Sequence, residues 1–224
     1  MIVIVGSRHD AVAAGLLETW PDASLCSAQD LTQPGWSWEL PRTHADARWV
    51  VDGRVVADAQ VSGVFVRRST VYPEELLATH PDDRNYLAAE AHAFLMFVLA
   101  TTRAHVCNPV FDGAYGDEAL QPERWAPVAQ RLGIAVAPVR LASGRAAPPP
   151  GRSVLVEAVG DQAFGAGSPR QHRGARSLMQ GLGLVSASLA FDGRGRLLTI
   201  SGIRPPANRD ALALLGSVLS GATP

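Results

Sequence analysis

The apolar positions change their rhythm along the chain, and each rhythm predicts an element. Met1–Val5 is a continuous apolar run, which predicts a buried parallel strand. A loop at Gly6–Asp10 and a helix over Ala11–Trp20 follow. Ser24–Ala28 reads as a second short strand, with Asp30 and Leu31 in a turn. Gly35–Leu40 and Arg48–Val56 look like a pair of strands, with Asp52-Gly53 as a two-residue turn between the last two apolar runs. Val61–Arg68 is a strand that ends in two arginines, and Val71–Leu76 turns into a short helical piece. From Pro81 onward, Leu87, Ala91, Phe94, Leu95, Val98 and Leu99 recur at helical spacing, with Asp82 or Asp83 placed to cap. A short strand at His105–Pro109 precedes a helix over Gln121–Leu132, closed by Gly133. Ile134–Val139 is another short strand.

Beyond this point the pattern is antiparallel. Ser153–Val159 and Gln162–Ala166 flank a Gly160-Asp161 turn, and a helix over Arg173–Gly181 follows. Two alternating runs, Leu184–Phe191 and Leu197–Ile203, then enclose Asp192-Gly193-Arg194-Gly195, a strong hairpin signal. A helix over Asp210–Leu219 closes the pattern. Leu141–Gly151, with Gly144 and Pro148–Pro150, is the one clear linker. The expected organisation is an α/β domain over residues 1–140, a Pro-rich linker at 141–152 and a smaller α+β unit over 153–224.

Composition changes the picture in a few places. An apolar fraction of 47% in 224 residues supports a real core. The formal charge of −1 gives no basic stripe and no expectation of nucleic acid. Ala88–Ala100 is interrupted by Glu90 and His92 and is too short for a bilayer. No basic leader precedes Met1–Val5, so a cytoplasmic location is expected, with Cys26 and Cys107 as reduced thiols. All 20 basic residues are arginine. Lysine chemistry is therefore excluded: no Schiff base, no P-loop lysine and no lysine on ATP phosphates.

Candidate chemistry is sparse. Gly6-Ser7-Arg8-His9 resembles a phosphate loop only in being a strand, a glycine and a helix start; no GxGxxG or GxxxxGK[ST] pattern is completed. Arg67 and Arg68 stand at the carboxyl end of a strand, where open α/β sheets place ligand groups. Neighbours on a strand point to opposite faces, so one of the pair at most faces a crevice. His105 and Cys107, two apart on a short strand, are candidates for a reactive pair, although a cysteine packed in a sheet is the commoner situation. Trp36 and Trp38 share one face, for packing or for stacking on a ligand. His92 reads as a helix-surface histidine. Glu74-Glu75 and Asp82-Asp83 read as helix N-terminal charges.

The order of several motifs carries a resemblance. Val64-Phe65-Val66-Arg67-Arg68, then Val106-Cys107-Asn108-Pro109, then Leu132-Gly133-Ile134-Ala135-Val136-Ala137-Pro138 looks like a pre-ATP-grasp domain. Val156–Ala166 resembles the paired strands that follow in ATP-grasp ligases, and the final hairpin has the shape of their metal-site hairpin. The likeness is to glutathione-synthase-related ligases that modify ribosomally made peptides, the microviridin and graspetide group. The resemblance implies a pre-ATP-grasp-like open sheet followed by a smaller ATP-grasp-like unit.

It also exposes departures. About a dozen residues stand where the family carries a lid subdomain, and the phosphate-binding lysines are missing. The family's hairpin aspartate falls near Ser188 or Ala190, and its Glu-x-Asn on Gly202-x-Arg204. The expectation is a protein without ATP or metal as cofactor: a non-catalytic binding or assembly protein for a peptide, a partner enzyme or a second copy. Arg67, Arg68, Asn108 and Arg204 are its expected ligand-binding residues. The alternative is an enzyme whose arginine-lined crevice takes a small anionic substrate without ATP, with His105 or Cys107 as the reactive group.

Overall fold

The computed structural model describes residues 1–39, 47–108, 110, 113–138 and 153–221; of Glu118 and Ala119 it describes the backbone alone. The chain forms two compact units, residues 1–116 with 216–224 and residues 117–215. The boundary expected near residue 140 thus falls inside the second unit, because the stretch after the helix over 122–131 bonds to a late strand: Val136 bridges Leu197, and Ala137 N donates to Leu197 O at 2.8 Å. The linker expected at 141–152 lies outside the described residues.

The first unit is built on a parallel sheet in the order β2-β1-β5-β6, from β1 (Ile2–Val5), β2 (Ala23–Cys26), β5 (Gly63–Val66) and β6 (His105–Cys107). Val3, Val5, Val64 and Val66 face a core shared with helix α3 (Arg84–Thr101) and with the hairpin of β3 (Arg48–Val51) and β4 (Arg54–Ala57). Asp52 and Gly53 turn that hairpin with φ of 50° and 70°, the left-handed pair that a two-residue turn requires. Trp36 and Trp38 both pack on Trp49, with centroids 5.5 and 5.9 Å away, so their shared face serves the core. On the other face Trp20, which follows helix α1 (Ala11–Thr19), packs edge-on against Phe65. A Cβ on Gly63 would stand 2.3 Å from Leu219 O, so glycine is what lets that backbone lie on β5.

Three local expectations shift. Asp30 and Leu31 lie in a short helix, α2 (Ala28–Leu31), because Ser27 and Asp30 form a reciprocal capping box. Gly35–Leu40 pairs only through a bridge from Ser37 to Arg48 among its described residues. Asp83 precedes α3 without a side-chain cap, after a 3-10 turn at Pro81–Asp83.

The second unit is an antiparallel sheet in the order β10-β9-β7-β8, from β7 (Val154–Val159), β8 (Gln162–Gly165), β9 (Ser186–Phe191) and β10 (Leu197–Ser201). Helix α5 (Pro169–Leu182) packs on this sheet and α4 (Pro122–Arg131) packs on α5. Helix α5 starts one turn earlier than its apolar period suggests: Ser168 and Gln171 close a capping box and Pro169 takes the first turn. The last helix, α6 (Arg209–Ser220), is capped by Asn208, whose Oδ1 accepts from Asp210 N and Ala211 N at 3.0 Å each.

Candidate functional site

The end of strand β10 is where the resemblance places a metal site. The turn before it holds itself: the Asp192 carboxylate accepts from Arg194 N at 2.9 Å, and from Arg196 N and Nε at 2.8 Å each. The Arg196 backbone bond, with the Arg196 side chain and Arg194 N–H, holds that carboxyl below its ordinary value. Ser188 pairs with Ser201 on one side and Glu157 on the other, so the three form a polar row across β7, β9 and β10.

Two described carboxylates in this neighbourhood are committed to backbone. Glu157 is buried, and its two oxygens accept from Ala207 N at 2.6 Å and Asn208 N at 2.8 Å. Asp117, in the 3-10 segment Gly116–Leu120, accepts from Gly202 N at 2.7 Å, Ile203 N at 3.3 Å and Ser201 Oγ at 2.9 Å. The segment leaving β10 is thus pinned at both ends. Neither acid is foreseen by the periodicity as part of this site. Glu157 carries one usable signal, a carboxylate inside an apolar strand that folding must pair; Asp117 carries none.

This donor set does not suit magnesium, which takes oxygen ligands, usually with carboxylates among them. Serine, glycine and an exposed arginine occupy positions 188, 202 and 204. Among the described residues no three His, Cys, Asp or Glu side chains are grouped to hold a metal ion. With no lysine in the sequence, all 20 Lys-or-Arg side chains are arginine.

The remaining candidates lie in the first unit. Arg67 and Arg68, expected to end the strand, lie just beyond β5, which stops at Val66, and they take different partners. Arg67 pairs with Asp10, Nε at 3.0 Å and Nη2 at 2.8 Å. Arg68 is buried and its Nη2 donates to both oxygens of Glu75, 2.6 Å to Oε1. Its Nε and Nη1 are buried without a partner. Its partner Glu75 lines a cavity of about 240 Å³, with Glu74 and residues of the Ser7–His9 loop and the Ser27–Gln29 turn; Arg68 itself does not line it. His105 is exposed while Cys107 is buried, so their shared strand does not give them a shared environment. Burial pushes the Cys107 thiol far up, away from the thiolate a nucleophile needs. Asn108 is buried with φ of 68°. His92 is tied in rather than free on the helix surface: its ring stacks on Tyr115 at 4.9 Å and Nδ1 lies 3.0 Å from Tyr115 Oη. Arg204 belongs to the second unit.

No family model matches the chain, and the search of curated proteins found no match. Solved structures do match. The macrocyclase MdnC of Microcystis aeruginosa, bound with precursor peptide MdnA, superposes with a TM-score of 0.70 over 98% of this chain and 99% of that one, at 13% identity. The ATP-grasp ligase PsnB, complexed with minimal precursor, Mg and ADP, gives 0.66 over 99% and 98%, at 13% identity. The chain has the ATP-grasp ligase fold. A RiPP-associated ATP-grasp ligase of Chryseobacterium gregarium, with ADP and a leader and core peptide, gives 0.66 over 100% and 97% at 8% identity. The open parallel sheet and the later antiparallel sheet are the two parts expected of an ATP-grasp chain. No described helix is long and apolar enough to cross a membrane.

Proposed function

We propose that this ATP-grasp chain is non-catalytic, and that it binds a peptide or a partner protein, a second copy included, in a biosynthetic pathway. The observation that carries the reading is the end of β10. Where an ATP-grasp ligase would present metal carboxylates, this chain has Gly202 and Arg204, and its nearby acids, Asp117 and Glu157, hold backbone N–H groups. Arginine brings positive charge to the place of a cation, and the lysine-free sequence supports the same reading for phosphates. Peptide binding is supported by the ligases of this fold, several of which are complexed with precursor peptides.

The test is a calorimetric and thermal-shift titration with ATP and magnesium, with an active ATP-grasp ligase as control. A ligand that binds the native state raises its apparent stability. The expected result is no shift at millimolar nucleotide; a magnesium-dependent shift sinks the proposal.

One observation favours a second reading, an enzyme or receptor for a small anion. The buried Arg68 guanidinium has two nitrogens without partners, and Glu75, which it holds, lines a cavity of about 240 Å³. Arginine forks suit carboxylates and phosphates. In that reading Arg67, Arg68 and Asn108 serve the ligand, and saturable binding of a small carboxylate, lost in Arg68→Met, is the result that would favour it.

A further inference from the structure

A larger cavity, of about 790 Å³, lies wholly within the second unit. It is bounded by the first turns of α5, the stretch from Leu132 to Ala135, and the turn at Asp192–Gly195. Leu132, Ile134 and Val154 supply apolar surface. Gly174 of α5 lies against Ile134: a Cβ there would meet Ile134 Cγ1 at 3.4 Å, an ordinary contact.

The mouth is charged with one sign. Arg170 and Arg173 stand three apart on α5 and therefore on one side of the helix. Arg194 faces the same cavity from the hairpin turn. All three are exposed, and no described carboxylate pairs with them. The positive end of the α5 dipole, with its Ser168 cap, adds to the same potential. Among the described residues Asp192 is the one acid lining the cavity, and the turn consumes its charge through Arg196. The groove thus couples an apolar wall to three uncommitted guanidinium groups, in a chain whose formal charge is −1.

We infer that this groove binds an acidic peptide segment in which aspartate or glutamate alternates with apolar residues. An extended segment sends alternate side chains to opposite sides. One set can meet Leu132 and Ile134 while the other reaches the arginines, whose planar forks donate to carboxylates bidentately. The concave shape and apolar wall suit a peptide better than a nucleic-acid backbone, which calls for an extended basic track. The chain's own linker is a poor occupant, because residues 139–152 contain Arg140, Arg145 and Arg152 and no acid. The inference rests on the peptide-binding reading and gives it a place and a chemistry.

The experiment is fluorescence anisotropy on the full chain with a short labelled peptide that alternates glutamate and leucine. The comparison probes are the same peptide with lysine for glutamate, the same with serine for leucine, and a single-stranded oligonucleotide of equal charge. The expected result is saturable binding of the glutamate–leucine probe alone, weakening as salt is raised. Arg170→Glu/Arg173→Glu/Arg194→Glu should weaken it by more than about tenfold. Arg54→Glu/Arg103→Glu, exposed arginines of the first unit, should leave it unchanged. Circular dichroism and melting confirm that both variants fold. Equal binding by the triple variant, by the lysine probe or by the oligonucleotide overturns the inference, as does no binding at all. A magnesium–ATP shift alongside intact peptide selectivity would sink the non-catalytic reading and leave the groove standing.

Discussion

Glu75→Gln keeps the volume of the side chain and removes only its charge, so it isolates what that charge does for Arg68. The two partners are unequally solvated: the Arg68 side chain is 4% exposed and that of Glu75 20%. With Glu75 neutral, the guanidinium keeps a buried charge whose Nε and Nη1 already lack partners. Two unit charges 4 Å apart attract by about 4 kcal/mol at an effective dielectric constant near 20. Breaking a buried pair from one side costs about 3–5 kcal/mol; partial access of water to Glu75 places the expected loss at the low end, about 3 kcal/mol. Arg68→Met should cost less, about 1 kcal/mol, because the stranded Glu75 can be hydrated and still accepts from Tyr72 N. In the double variant both charges are gone, so its cost should lie well below the sum of the two, a coupling of about 2 kcal/mol. Urea unfolding followed by circular dichroism, with an unchanged slope, reads all three. If Glu75→Gln lies within about 0.5 kcal/mol of the parent, or costs less than Arg68→Met, the claim of an orphaned guanidinium is refuted.

Asp117→Asn should lower stability by about 2 kcal/mol, because an amide can replace only one of the acceptor oxygens that hold Ser201, Gly202 and Ile203. Hydrogen exchange should show the Gly202 and Ile203 amides losing protection first; protection equal to the parent's would count against the latch. Cys26 and Cys107 are both buried, and burial raises both thiols, so iodoacetamide should label neither in the native protein at pH 8 and both after unfolding. The same shift fixes a pH dependence. The folded thiols titrate above their ordinary value of 9.0, so the stability they contribute is complete below pH 9. It falls as pH rises beyond that, because only the unfolded chain gains the thiolates. Rapid native labelling of Cys107 would revive it as a nucleophile.

Much of this protein is decided by local chemistry that the chain carries on its face. Met1–Val5 must be buried because it has no polar side to show, and Asp52-Gly53 turns its hairpin because those residues tolerate positive φ. The missing lysine and the residues at 202 and 204 are likewise facts of sequence, and the non-catalytic reading is built on them. Tertiary structure decided the partners. Glu157 reaches backbone fifty residues away and Asp117 reaches eighty-five, and a peptide N–H has no signature in the identity of its residue. The burial that strands Arg68 and seals Cys107, like the meeting of Arg170 and Arg173 with Arg194 around one cavity, depends on which surfaces close over which. Periodicity determines the face on which a side chain leaves its element; only packing determines what waits there.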